Sequence, residues 1–363
     1  MLELSEQNAI DYLRQAGRVS DGEILVKSLS GGIANTVLQV FDTSTLACFI
    51  LKQPLPRFQT AADWQVDIAR IVVERDCAQL LENLLPAGSV PHVLWFDAPN
   101  HILTLAAASP DAVVWKKDLL AGHVSLDAAT QAGMLLAIMH SSTTNDPALL
   151  ARYGDPAFFI QQRIDPYLRT AAEKNPDHAA TLDAIAAKLL ATQRCLIHGD
   201  FSPKNILLIP HPADLASQIE SLKGPPTPAV PFHLSHLMLL DFEVAFYGHP
   251  AFDVATLINH FLLKGFYHEK NWRPFMLLAD NFWQTYKTTA DPDLARDASH
   301  FAGPLLGALL LARIDGKSPV EYLLDMPADQ QRVRQAAHAI LGQRQIPLDD
   351  ALTLAASFFE TPV

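Results

Sequence analysis

Cys195-Leu-Ile-His-Gly-Asp-Phe-Ser-Pro-Lys-Asn-Ile-Leu-Leu208 sets a histidine, an aspartate and an asparagine in a polar turn between two short apolar runs, the pattern of buried strands that meet at a polar edge. A second edge of this kind follows in Leu237-Met-Leu-Leu-Asp-Phe-Glu-Val-Ala-Phe246, where Asp241 and Glu243 close an apolar run. His198-Gly199-Asp200 followed by Asn205 has the order a phosphoryl-transfer loop needs: a carboxylate to meet an acceptor hydroxyl and an amide oxygen for a cation. If Leu237 to Leu240 are extended, alternation puts Asp241 and Glu243 on the same side, so both carboxylates can face one ion. Asn205, Asp241 and Glu243 are thus candidate ligands of a hard, oxygen-seeking metal such as magnesium.

Upstream of these edges, Ser28 to Val40 reads as strand, glycine turn, strand, and Gly31, Gly32 and Asn35 are candidate phosphate contacts at the turn. Cys48-Phe-Ile-Leu-Lys52 ends a further apolar strand on a lysine. Trp64 to Leu85 has apolar residues at helical spacing, with Glu74 and Asp76 in its middle. Val90 to Asp97 and His101 to Leu105 read as two more strands of a small sheet. Ala106 to Pro110 is then a linker between lobes, and Val114 to Leu120 follows it with Trp115.

Helical spacing recurs over Leu126 to His140, Phe158 to Ala171, Ala179 to Thr192, Val254 to Lys264, Trp272 to Thr288 and Phe301 to Ala312. His140 reads as a helix-end residue, because histidine is favourable near a helix C-terminus. Arg313 leaves the last of these apolar helices and either faces a bound phosphate or hydroxyl or makes a surface ion pair. The proline-rich segment of about 210–235 is long for a hairpin, so it is read as an insertion.

The order of these elements resembles the small-molecule kinases related to aminoglycoside phosphotransferases and choline kinases. Asp241 to Asp253, Lys52 to Pro56 and the Trp115 segment are most similar to methylthioribose kinases. The resemblance implies an α+β, protein-kinase-like two-lobed fold. Its N-terminal nucleotide-binding lobe with a small antiparallel sheet is residues 1–107, and its larger, mainly helical catalytic and substrate lobe is residues 108–363. It further implies ATP and Mg2+ as cofactors, Lys52 on the ATP phosphates supported by Glu74 with Asp76 as the rival, Asp200 as the catalytic acid-base residue, and transfer to a hydroxyl of a small sugar-like molecule. Trp115 and Arg313 are candidate substrate contacts, although Trp115 reads equally as the anchor of the following helix. Phe201-Ser-Pro-Lys-Asn205 keeps the asparagine of the wider superfamily where methylthioribose kinases carry a different loop, so aminoglycoside and amino-alcohol acceptors stay open. A nucleotide-binding pseudokinase is the alternative of another class.

Composition bounds the rest. A chain of 363 residues exceeds the ~250 to 300 at which one core usually divides. With 49% hydrophobic and 18% charged residues it is globular, and its formal charge of -12 argues against a nucleic-acid partner. Cys48, Cys77 and Cys195 are too few and too scattered for a disulfide framework or a thiolate metal site. Neither a signal peptide nor a membrane span is legible, so the expectation is a cytoplasmic protein without a membrane partner, with a homodimer left open.

Overall fold

Residues 2–29, 34–58, 64–211, 234–343 and 345–360 are described in this computed structural model. They fall into two units, Met1–Pro110 with Asp241–Val244, and Asp111–Leu240 with Ala245–Val363. Gly31 and Gly32 lie outside the described residues, as does nearly all of the proline-rich segment.

In the first unit, helix α1 (Ala9–Gln15) precedes strands β1 (Ile24–Ser28), β2 (Asn35–Asp42) and β3 (Cys48–Pro54). Helix α2 (Arg70–Leu84) and strands β4 (Val93–Asp97) and β5 (Ile102–Ala106) complete it. The strands form one antiparallel sheet of order β1-β2-β3-β5-β4. Because side chains alternate along a strand, Leu38 and Val40 of β2 share a buried cluster with Phe49 and Leu51 of β3, closed by Ala9 and Leu13 of α1. Lys52, of the other parity, is thereby turned away from that cluster, and its side chain meets α2.

Helix α2 starts at Arg70 rather than at the expected Trp64. Asp67 stops it: its carboxylate accepts from the Ala69 amide at 2.8 Å, and its carbonyl accepts from the Arg70 side chain at 3.1 Å, so the chain turns into the helix there.

The second unit begins with β6 (Val113–Val114) and helices α3 (Trp115–Leu120), α4 (Leu126–Ser142) and α5 (Pro147–Tyr153). Next, α6 (Ala157–Phe159) widens into a π-helical stretch, Ile160–Arg169, before α7 (Thr170–Lys174) and α8 (Ala179–Ala191). The single regular helix expected over Phe158 to Ala171 is therefore corrected. Pro166 lies inside the stretch, where it has no amide hydrogen to donate and crowds the preceding turn, and a wider helix accommodates both effects.

Strands β7 (Cys195–Ile197), β8 (Ile206–Pro210), β9 (Leu234–Leu239) and β10 (Phe246–Gly248) follow, with β10 antiparallel to β7 and the order β6-β8-β9 in a second small sheet. Helices α9 (Ala251–Tyr267), α10 (Arg273–Thr289), α11 (Pro292–Asp315), α12 (Pro327–Leu341) and α13 (Leu348–Ala356) complete the unit. The last two have no counterpart in the sequence reading. Helix α9 is buried on nearly every side, as a helix without a polar face must be. Among the described residues no helix is long and apolar enough to cross a membrane.

Helix α11 lets the chain before α13 approach through a glycine. A methyl group added at Gly303 would come within 2.1 Å of the Ile346 carbonyl oxygen, a backbone atom that no rotamer change can move. Gly303→Ala is expected to destabilise the protein by roughly 1–3 kcal/mol through overpacking. Urea unfolding checks this as a lower midpoint at unchanged slope, and an unchanged midpoint would show that the approach is not constrained.

Candidate active site

Lys52 organises the polar part of the first unit. It is 7% exposed, and its Nζ lies 2.7 Å from the Glu74 carboxylate and 2.5 Å from Asp241 Oδ1. Glu74 is one turn beyond Arg70, so the two side chains leave the same face of α2. Fully buried Arg70 donates from Nε to Glu243 Oε2 at 3.1 Å and from Nη2 to the carbonyls of Ala34 and Leu55 at 2.6 and 3.0 Å. Asn35 donates to the same Glu243 oxygen at 3.1 Å.

Carboxylate oxygens of Glu74, Asp241 and Glu243 lie within 4.8 Å of one another. Three carboxylates facing Lys52 and Arg70 leave negative charge in surplus. Burial alone would pull the Lys52 ammonium down, but Asp241, Glu74 and Glu243 outweigh it and push the group well above its ordinary range. Burial pushes the Glu74 carboxyl up, and the carboxylates of Asp241 and Glu243 add to this against Lys52. An oxygen-only donor set with surplus negative charge fits magnesium or another hard cation, and the half-buried Asp241 leaves it accessible.

The route by which Asp241 and Glu243 come together differs from the expected one. Strand β9 ends at Leu239, and Asp241 has φ +69°, a left-handed backbone uncommon for a residue with a side chain. A turn therefore groups the carboxylates, not strand alternation, and Glu243 is already engaged by Arg70 and Asn35.

In the second unit the loop after β7 is held from beneath by one buried carboxylate. Asp253, in the first turn of α9, accepts from the His198 amide at 2.6 Å through Oδ2 and from the Gly199 amide at 3.0 Å through Oδ1. Gly199 has φ +74°, which glycine adopts without a steric penalty. His140 stands in the last turn of α4, where its Nε2 lies 3.3 Å from Asp253 Oδ2 and its Nδ1 2.9 Å from the Tyr286 hydroxyl.

Asp200 Oδ2 is met by Arg163 Nη2 at 3.0 Å, Lys204 Nζ at 2.8 Å and Asn205 Nδ2 at 2.8 Å. Burial raises the Asp200 carboxyl, but Arg163 and Lys204 overcome it and hold the group well below the usual carboxylate range. It is ionised at neutral pH and can accept a hydrogen bond from a hydroxyl. The Asn205 amide nitrogen is committed to Asp200, so its amide oxygen is the atom left to face a cation.

Trp115 opens α3 with its ring fully buried, edge-on to Phe261 at 5.3 Å between centroids. Arg313, near the end of α11, donates to the Tyr167 hydroxyl at 3.1 Å and Ser318 Oγ at 3.2 Å, and makes no ion pair among the described residues.

Four polar residues of the two clusters escaped the sequence reading. Arg70 had a signal, its helical spacing from Glu74. Asp253 stood within a noted stretch without a role, Lys204 sat inside the loop itself, and Arg163 had no local signal because the π-helical turns bring it to Asp200.

Residues 26–212 match the model of the phosphotransferase enzyme family, APH. The chain belongs to this family. It is 26% identical over 285 residues to a methylthioribose kinase of Yersinia pseudotuberculosis, covering 71% of this chain and 64% of that protein. A methylthioribose kinase of Pectobacterium carotovorum is 27% identical over 276 residues, covering 71% and 65%. The chain thus spans just under two thirds of the length of these relatives. Among solved structures, an ethanolamine kinase of Plasmodium vivax superposes with a TM-score of 0.54 at 13% identity, covering 97% of this chain and 86% of that one. An aminoglycoside phosphotransferase of Alicyclobacillus acidocaldarius does so with a TM-score of 0.50 at 15% identity, covering 99% and 96%. The α+β fold of this APH-family chain is accordingly the kinase-like one, with the antiparallel sheet in the N-terminal unit and the helices in the C-terminal one.

The Arg70–Glu243 pair lends itself to a cycle. Arg70→Leu leaves a buried carboxylate without its cation and is expected to cost about 3–5 kcal/mol, whereas Arg70→Leu with Glu243→Leu should recover a large part of that loss. Chemical denaturation of these two variants and of Glu243→Leu alone reads the coupling, and simple additivity would show that the pair is not coupled.

Proposed function

We propose that the chain is a kinase that transfers the γ-phosphate of ATP to a hydroxyl of a small, sugar-like molecule, in the manner of methylthioribose kinases. The observation that carries this reading is the buried Lys52 joined to both Glu74 and Asp241, since a lysine held extended by a helix carboxylate is the arrangement that presents an ammonium to nucleotide phosphates. Residues 1–107 would serve as the nucleotide lobe, with Gly31, Gly32 and Asn35 near the phosphates, and residues 108–363 as the catalytic and substrate lobe.

Asn205 and Asp241 would hold Mg2+, with Glu243 contributing the capacity left by Arg70 and Asn35. Bound there, the ion neutralises phosphate charge. Asp200 receives the acceptor hydroxyl. Its depressed carboxyl makes it a weak base, so it orients the hydroxyl and takes the proton late in the transfer. Arg163 and Lys204 keep that carboxylate fixed and ionised, and the loop amides tied to Asp253 keep its backbone in place.

Magnesium-ATP, by binding only the folded chain, should raise the melting temperature; a hundredfold excess over Kd is worth about 2.7 kcal/mol. No shift at millimolar nucleotide would count against the kinase reading. Asp200→Asn keeps size while removing the base, and turnover should fall roughly 10²- to 10⁴-fold with the magnesium-ATP shift retained. Equal loss of nucleotide binding would instead make Asp200 a nucleotide or structural residue. Because the folded carboxyl titrates below its unfolded value, Asp200 should add no acidic limb to the rate profile between pH 5 and 7, and its contribution to stability should be lost only as pH falls through the depressed value.

A further inference from the structure

Arg70, the first residue of α2, is 0% exposed, and its guanidinium reaches four separate stretches of the first unit. Nε donates to Glu243 Oε2 at 3.1 Å, Nη1 to the Asp67 carbonyl at 3.1 Å, and Nη2 to the carbonyls of Ala34 and Leu55 at 2.6 and 3.0 Å. The Phe58 ring closes over it, 5.3 Å from guanidinium carbon to ring centroid.

These stretches carry the groups already assigned to the nucleotide. Ala34 stands just before Asn35, the first residue of β2, and its carbonyl also accepts from the Leu55 amide at 2.9 Å. Leu55 follows β3, which bears Lys52. Asp67 and Arg70 set the start of α2, which presents Glu74 one turn on, and Glu243 lies two residues beyond Asp241. One side chain thus joins the elements that carry Asn35, Lys52, Glu74 and Asp241.

Stability alone does not call for a cation in this place, because apolar side chains of similar volume often serve a core as well as a buried ion pair does. What a guanidinium adds is direction, since its planar fork fixes acceptors in angle as well as in distance. Glu243 shows the effect. Arg70 Nε and Asn35 Nδ2 both meet Oε2, each at 3.1 Å, while Oε1 makes no hydrogen bond among the described residues. The carboxylate is clamped through one oxygen and keeps the other for a cation. Arg70 has no exposed surface of its own, so it acts on a ligand only through the groups it holds.

We propose that Arg70 is a positioning residue of the nucleotide site, holding Glu243, the start of β2 and the start of α2 in their binding arrangement before nucleotide arrives. It rests on the kinase reading, in which Lys52 and the neighbouring carboxylates meet ATP and its cation. Without the fork these segments are free to move apart, the competent arrangement is populated only part of the time, and the apparent Kd rises by the inverse of that fraction. Arg70→Lys separates charge from placement. Its ammonium answers the Glu243 carboxylate, but a point charge on a flexible stem cannot hold acceptors on four stretches at set angles.

Titration calorimetry of the full chain with the magnesium complex of the non-hydrolysable ATP analogue AMP-PNP tests this on wild type, Arg70→Lys and Gly303→Ala. Gly303→Ala is the control for lost stability, since it disturbs packing in the second unit. With each variant shown to be folded by circular dichroism, Arg70→Lys should bind about tenfold or more weakly, as expected if the competent fraction falls to about a tenth. Gly303→Ala should bind as the wild type does. Exchange of the Leu55 amide, read by NMR without nucleotide, should be about tenfold faster in Arg70→Lys and unchanged in Gly303→Ala.

Should Arg70→Lys not fold, the wild type alone decides: the Leu55 amide should be as protected without the analogue as with it. Protection that appears only on adding the analogue, Arg70→Lys binding within about twofold of wild type, or an equal loss of affinity in Gly303→Ala would each overturn the proposal. Wild-type binding that Arg70→Lys leaves unchanged removes this inference alone, whereas no binding by the wild type at millimolar analogue removes the kinase reading and the proposal with it.

Discussion

A lysine ammonium taken out of water must find counter-charge close by or lose its proton, and Lys52 answers that demand with Glu74 and Asp241. Much of the first unit follows. The parity of β3 points Lys52 away from the apolar cluster, α2 must present Glu74 one turn after Arg70, and the turn at Asp241 must adopt a left-handed backbone to deliver its carboxylate. Arg70 ties the same carboxylate group to the backbone at Ala34 and Leu55, on either side of β2 and β3. The surplus negative charge of the cluster is the chemical reason for expecting a cation there.

In the second unit the constraint is satisfied by the backbone. A loop that must hold a carboxylate in a fixed place carries amides that would otherwise be buried without acceptors, and Asp253 takes two of them at once. Removing it would loosen the loop without touching Asp200. Arg163 serves both ends, donating to the Gly199 carbonyl at 2.6 Å and pairing with Asp200, so side chain and backbone are fixed by one guanidinium.

The parts of the site that were legible in the sequence were those written in short spacing. Asp200 and Asn205, Asp241 and Glu243, and the strand-end Lys52 stand beside apolar runs that announce strands, and the sheet and most helices follow from the same periodicity. The helix of Glu74 was legible through its spacing and Glu74 itself through the family resemblance, but the start of the helix was not, because Asp67 and Arg70 settle it by side-chain bonds that no periodicity records. Arg163 was illegible because its approach to Asp200 depends on a π-helical stretch between Phe159 and Thr170. Lys264 entered the sequence reading only as the last residue of the helical spacing from Val254, and its complete burial beside Tyr322, distant in sequence, left no trace there.

The four residues Asp241–Val244 belong to the first unit while the chain on both sides of them belongs to the second. The N-terminal unit is therefore not a module in the genetic sense. A fragment ending at Pro110 would retain Lys52, Arg70 and Glu74 yet lack two of the three carboxylates that neutralise the buried cations, at a cost of several kcal/mol per stranded charge. Domain shuffling, fragment complementation or recombination at that boundary would succeed only if a short peptide from the middle of the chain travelled with it, which ties the inheritance of the two units together.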